Sequence, residues 1–372
     1  MRDLIRANAG LLLAGVASYV MMGAGQSMYG PALPAFARDL GLADAQAAWL
    51  ISAHWVGCAL GVGFMYVRAT GVTPRMTAAV MAMGAALVAM GIGVVGTFLG
   101  ALVFGAGYGA ATVVFNPRVL RAFGARGTSM LSLLNASFGI GAIAAPLVFV
   151  WLGSAPELAF GVVAVLAALV WVFAGPAGRN DVAPQARPDT PFRPRYGLLS
   201  FAVLGIGLEA CLIGLGPTAL IAAGVAEEDA ARRLSAFFVT FLGARVALVF
   251  GAHLVAPFTL YLWAMALMGA FCAMAALFDP GVFFMLVGAP AAVIFPCFYV
   301  AASRVMGDDP RVPATIIAAG LIGGIAAPVL IGPAMADLGE RGFFWVIAGV
   351  AGVVALAGLL TRRRLPDLAR VH

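Results

Sequence analysis

The stretch "IGAIAAP" occupies residues 140–146, and "IGGIAAP" occupies residues 322–328. The two differ at one letter and stand 182 residues apart in a chain of 372. A short match is easy in a chain rich in Ala, Gly and Ile. An offset near half the length is harder to dismiss, so the meaning of the match depends on where each copy falls.

Hydrophobic residues make up 63% of the chain and charged residues 10%, against roughly 45–50% and about 25% in soluble domains. So few charges cannot cover a water-soluble surface, and the chain reads as an integral membrane protein. The apolar runs reach the ~20 residues a helix needs to cross the hydrocarbon core, not the ~10-residue alternating segments of a barrel. Splitting at charges and at Gly and Pro predicts twelve spans: 11–36, 44–68, 76–96, 98–119, 128–152, 156–175, 196–223, 230–253, 256–278, 281–305, 312–335 and 340–361. The first apolar run is too long for a signal-peptide core and carries no clear cleavage site, so it reads as a retained span. The stretch "PAGRNDVAPQARPDTPFRPR" at 176–195 is the longest polar interruption. It reads as a linker between a six-helix bundle at 1–175 and another at 196–372.

The basic residues set the orientation. With a cytoplasmic N-terminus, only Arg38, Arg232, Arg233 and Arg341 fall in outside segments and Arg245 in a span; the rest of the 22 fall inside. That bias supports an even span number with both termini and the linker cytoplasmic; the expected location is an inner (plasma) membrane of bacterial type. The expected fold is therefore all-α, with twelve transmembrane helices in two pseudo-symmetric bundles.

The repeated heptapeptide then falls in spans five and eleven, equivalent places in a parallel duplication. "FNPRV" closing span four and "IFPCF" in span ten make a second, weaker match. Parallel six-helix repeats are the plan of a secondary transporter. Small residues let helices approach closely, and Pro146, Pro296 and Pro328 are candidate gating kinks, since proline removes a backbone donor.

An ionisable group at membrane depth is a functional candidate by default. Glu209, in "LGIGLEACLIGLG", lies about 13 residues into span seven, roughly 20 Å along it. Span eight carries Arg245 in "FLGARVALV". Glu209 is the candidate proton-coupling group and Arg245 its charge partner. A permanent structural pair is the alternative. Candidate solute contacts are Gln26, Tyr29, His54, Thr112, Asn135 and Tyr299; each could instead be satisfied on a neighbouring carbonyl. Cys58, Cys211, Cys272 and Cys297 lie in apolar runs and read as buried hydrophobes. No metal cluster, catalytic triad or phosphate loop is visible, and no cofactor is expected. "GAGYGA" at 105–110 superficially matches a dinucleotide fingerprint, but no strand precedes it.

Five stretches carry a resemblance: "MYGPALPAFARDLGL" (28–42), "FNPRVLRAFGARGTSMLSLLNASFGIGAIAAPLV" (115–148), "VLGIGLEACLIGLGPTAL" (203–220), "SAFFVTFLGAR" (235–245) and "IFPCFYVAASRVMGDDPRVPATIIAAGLIGGIAAPVLIGPAMADLG" (294–339). Through them the chain resembles the major facilitator superfamily and, within it, the fucose:proton symporters. The resemblance implies secondary transport and makes Glu209 and Arg245 look like family positions. The chain also departs from the pattern. In the loop after span two, Gly71 and Arg75 match, but Arg68 stands where the family has an acid. Gly30 and Thr112 stand where the sugar symporters carry carboxylates.

The expected function is proton-coupled uptake of a small organic solute less hydroxylated than a free sugar, such as an aromatic or heterocyclic nutrient. Proton-driven efflux and uncoupled facilitation remain open. A membrane enzyme would need acids, His or Cys clustered at one face, and only scattered singles are present. A receptor would carry an extramembrane domain. The expected partners are solute, protons and lipid, without nucleic acid, and the expected state is a monomer.

Overall fold

The computed structural model describes residues 2–67, 71–177, 193–251, 254–307, 309, 311–365 and 368. Most of the 176–195 linker, together with Arg68, Arg179, Arg187 and Arg370, lies outside the described residues. Twelve apolar helices follow one another, with no strand among the described residues. In the first half these are α1 (Ala9–Leu40), α2 (Trp49–Val67), α3 (Pro74–Ala89), α4 (Gly93–Phe123), α5 (Gly127–Trp151) and α6 (Pro156–Phe173). In the second half they are α7 (Tyr196–Ala222), α8 (Glu227–Gly251), α9 (Pro257–Leu277), α10 (Pro280–Met306), α11 (Val312–Asp337) and α12 (Gly342–Arg364). Eleven are long and apolar enough to cross a membrane, counting Asp44–Val67 as one; α3 is shorter.

Local chemistry sets the ends. Proline opens α3, α6, α9 and α10, where its missing donor costs nothing. Thr73 and Asp279 cap α3 and α10 by accepting from the amides of Met76 at 3.2 Å and Val282 at 2.9 Å, as N-caps do. Gly41 closes α1 in the left-handed region at φ 62°. Two of the boundaries that differ from the sequence-based expectation have a local reason. The third span ends at Ala89, not 96, because Gly91 (φ 60°) and Gly93 (φ 81°) turn the chain. The fourth does not end at "FNPRV": α4 runs through Pro117 to Phe123. A membrane helix tolerates such a proline where neighbouring groups satisfy the freed carbonyl.

The chain divides into two compact units. One is Met1–Ala43 with Trp49–Pro184; the other is Asp44–Ala48 with Gln185–His372. In the first, α1 packs on α5, α2 on α4, α3 on α4 and α3 on α6. In the second, α7 packs on α11, α8 on α10, α9 on α10 and α9 on α12. These are the same four pairings, six helices later.

Glycine contacts give the register. A Cβ on Gly141 of α5 would overlap the carbonyl oxygen of Val20 on α1, with the Ala24 amide next nearest. A Cβ on Gly323 of α11 would overlap the carbonyl of Val203 on α7, with the Gly207 amide next. The repeated heptapeptide thus makes the same backbone contact in each unit. Such approaches admit Cα–H···O contacts of about 0.5–1 kcal/mol each. Likewise Gly105 of α4 meets the His54 carbonyl of α2, and Gly288 of α10 meets the Phe237 carbonyl of α8. Val20 and Val203, His54 and Phe237, and Gly105 and Gly288 are each 183 residues apart; Gly141 and Gly323 are 182 apart. In this register Pro117 matches Val300, not Pro296. The "FNPRV"/"IFPCF" likeness is therefore one helical turn out of step.

The repeats keep the contacts and change the residues. Gly57 of α2 lies against the Leu102 carbonyl. At the equivalent place Thr240 donates its hydroxyl to the Met285 carbonyl at 2.6 Å. Large apolar side chains point outward, Trp151 (82% exposed) and Leu330 (71%) among them, as expected of a face solvated by lipid. In the first unit, Arg75 holds the C-terminal end of α6, where helix carbonyls favour positive charge, and Arg118 holds the turn that follows it. Arg75 donates to the Val172 carbonyl at 3.0 Å and lies 6.0 Å from the Trp171 ring centroid. Arg118 donates to the Ala177 carbonyl.

Candidate functional site

In the second unit, α7 carries Glu209 within an almost unbroken apolar sequence. Its Oε2 is buried and has no hydrogen-bond partner. Arg245 lies on α8, which packs on α7. The Arg245 guanidinium donates from Nε to the Ala292 carbonyl of α10 at 3.4 Å and lies 4.6 Å from the Phe241 ring centroid. A locked pair would be expected to use both carboxylate oxygens, since the surviving buried pairs are those with every lone pair satisfied. Here one oxygen is left over.

In the first unit, α1 carries Gln26 and Tyr29, and α2 carries His54. Tyr29 and His54 are buried, with ring centroids 5.3 Å apart. The Tyr29 hydroxyl, the His54 Nδ1 and the Gln26 Oε1 are all buried without partners. His54 Nε2 lies 3.6 Å from Cys58 Sγ, one turn on. Aromatic rings surround the imidazole: Trp55, Phe104 and Tyr108 have centroids 5.8, 5.8 and 5.3 Å away. A buried polar atom without a partner costs about 1–3 kcal/mol.

The remaining predicted contacts are placed differently. Thr112 donates to the Gly109 carbonyl at 2.8 Å, and Asn135 donates to the Leu131 carbonyl at 3.0 Å. Each places a donor on its own helix and keeps acceptor capacity. Tyr299 is partly buried beside Phe295, centroids 5.8 Å apart. Pro146, Pro296 and Pro328 stand inside helices that continue past them. All four cysteines are reduced and buried, and no group of three or more metal-ligating side chains occurs among the described residues.

Sequence reasoning passed over Tyr108 and the bond from the Tyr19 hydroxyl to Asn116 Oδ1, which joins α1 to α4. The signal for Tyr108 was present in "GAGYGA". Its Gly105 and Gly109 seat α4 against the His54 and Cys58 carbonyls, and that spacing brings Tyr108 to the imidazole.

Two bundles of apolar helices with matching pairings and ionisable groups at membrane depth define the architecture of a multi-pass membrane transporter. The family model described as Major Facilitator Superfamily matches residues 15–319, and the chain belongs to that superfamily. No curated protein sequence matches it. Among solved structures, it is similar to a variant of the nucleoside transporter NupG (14% identity, 95% of this chain and 99% of that one, TM-score 0.77). It is also similar to a D-xylose–proton symporter (14%, 97% and 98%, 0.74) and to FucP in the outward conformation (16%, 94% and 98%, 0.61). At these identities the likeness is one of fold.

Proposed function

We propose that this protein is a proton-coupled secondary transporter that takes up a small organic solute by alternating access. Glu209 carries the proton and Arg245 biases its charge state. The observation that carries this reading is the buried, unpartnered Oε2 of Glu209 beside an arginine engaged with Ala292 and Phe241. Taking up a proton removes the cost of a charged, under-bonded carboxylate at membrane depth. A change in Arg245 or in hydration reverses that balance and releases the proton. That a D-xylose–proton symporter shares this fold supports coupled uptake.

Gln26, Tyr29 and His54 are the solute contacts best supported, because each offers a buried unpartnered atom. Thr112, Asn135 and Tyr299 contribute through remaining capacity. Pro146, Pro296 and Pro328 allow α5, α10 and α11 to bend. Tyr29, His54 and the rings around His54 suit a partly aromatic or heterocyclic solute. In this reading the protein is a monomer in the inner membrane, with six-helix halves at 1–175 and 196–372, a cytoplasmic 176–195 linker and cytoplasmic termini, as the arginine distribution supports.

The test is uptake into proteoliposomes of uridine, D-xylose, L-fucose and a panel of aromatic nutrients, with and without an inward proton gradient. One solute is expected to accumulate only with the gradient. Glu209→Gln is expected to exchange that solute without concentrating it. Equilibration that ignores the gradient would refute coupling and leave a facilitator. Accumulation driven by an outward gradient would make the protein an exporter.

A further inference from the structure

The duplication supplies a control that a single bundle lacks. Where the fold needs only packing at a position, the other repeat shows what else fits there. In the register of the carbonyl contacts, the counterpart of His54 is Phe237, of Tyr29 is Leu212 and of Thr112 is Phe295. Asn135, in the helix shifted by one, matches Ile317. At those places polarity is lost in the second unit. Asn116 matches Tyr299, but Asn116 is already engaged by the Tyr19 hydroxyl.

Gln26 is the exception. It lies six residues after Val20 and two after Ala24, the residues that Gly141 abuts. Glu209 lies six after Val203 and two after Gly207, the residues that Gly323 abuts. The two are one position of the duplicated unit. They have the same length and differ by an amide for a carboxylate. Each presents a buried side-chain oxygen, Oε1 in one and Oε2 in the other, without a hydrogen-bond partner. Helix packing does not demand this in either repeat, since a leucine or alanine there would leave no unsatisfied group.

We infer that Gln26 is a specificity-determining solute contact, the non-ionisable counterpart of Glu209, whose Oε1 accepts a hydrogen bond from an O–H or N–H of the transported solute. This rests on the reading of Glu209 as a group exposed during the transport cycle. An amide oxygen accepts from a donor at any pH, whereas the carboxylate at the equivalent position titrates.

The test uses the full protein in phospholipid vesicles, treated with a water-soluble carbodiimide and glycine ethyl ester, with labelled sites read by peptide mass spectrometry. Wild type is expected to be labelled at Glu209. Gln26→Glu, close to isosteric, is expected to be labelled at both positions. Gln26→Leu is expected to raise the KM of the solute found in the uptake screen about tenfold at unchanged maximal rate, the effect of one lost hydrogen bond. Label at 209 but never at 26, or an unchanged KM in Gln26→Leu, overturns the assignment. No label at either position overturns it together with the exposure of Glu209. Label at both positions with the expected KM shift, but without gradient-driven accumulation, removes the coupling and leaves the assignment standing.

Discussion

Replacing Gly323 with alanine is expected to loosen the second unit, and the size of the effect follows from the geometry. The new methyl would overlap the Val203 carbonyl oxygen and press on the Gly207 amide. Both are backbone atoms of α7, so no rotamer change relieves the contact and the two helices must separate. Overpacking of this kind costs about 1–3 kcal/mol, and a rigid backbone partner places it near about 3 kcal/mol. Alanine returns about 1 kcal/mol of helix propensity. The net loss is about 2 kcal/mol, or roughly 4–8 °C in Tm for a unit of this size. The four buried, reduced cysteines make a built-in assay, since a thiol-reactive fluorogenic dye reports their exposure on heating in detergent. Gly141→Ala is expected to behave alike through the Val20 carbonyl. Gly352→Ala on α12, where a Cβ meets nothing within 4 Å, is expected not to lower Tm. If Gly323→Ala melts with wild type while expressing normally, the repeated heptapeptide is not a packing device and the reasoning fails.

Thr240→Val removes the hydroxyl that bonds the Met285 carbonyl; a loss of about 1 kcal/mol is expected, read as a small drop in Tm by the same dye assay. Just before α11, Arg311 donates to the Asp309 carboxylate from its side chain at 2.9 and 2.7 Å and from its backbone amide at 2.8 Å. The side-chain hydrogen bonds, then the backbone one, hold the Asp309 carboxyl below its ordinary value. Its contribution is therefore complete above the usual aspartate range and disappears as pH falls through the lowered native value. Asp309→Asn is expected to melt below wild type at neutral pH and to converge with it in acid; a gap that persists unchanged in acid would refute this. Arg75→Ala is expected to lower Tm slightly by freeing the α6 terminus at Val172 and Trp171, and an unchanged Tm would show that those contacts contribute nothing.

The membrane class, the twelve helices and the duplication were legible in the sequence because composition and run length are enough to specify them. Few charges and runs near 20 residues admit no other solvent than lipid. Glu209 and Arg245 stood out as candidates for a related reason, since an ionisable residue in an apolar run needs no structure to be conspicuous. The heptapeptide announced a repeat, but its letters could not say whether Gly141 and Gly323 served a kink or a contact. Close approach depends on which backbone faces the glycine, and only the packed pairs α1–α5 and α7–α11 show two carbonyls in the way of a Cβ. Helix ends at glycine pairs and passage through Pro117 were likewise tertiary matters, because a proline's cost depends on what neighbours satisfy the freed carbonyl.

Polar residues within the spans were the least legible. Thr112 and Asn135 read from sequence like Gln26 and His54. Whether a side chain finds a carbonyl one turn back or is left with a buried, unpartnered atom is set by rotamer and neighbours. The equivalence of Gln26 with Glu209 is spelled in the numbering yet hidden from it, because no alignment of letters pairs a glutamine in "GAGQSM" with a glutamate in "GIGLEA". The chain by itself determined that this protein lives in lipid and is built twice, since hydrophobicity and repetition are properties of sequence. Only the tertiary structure decided which residues the two copies hold in common, since register is fixed by backbones pressed together and not by the side chains that happen to survive.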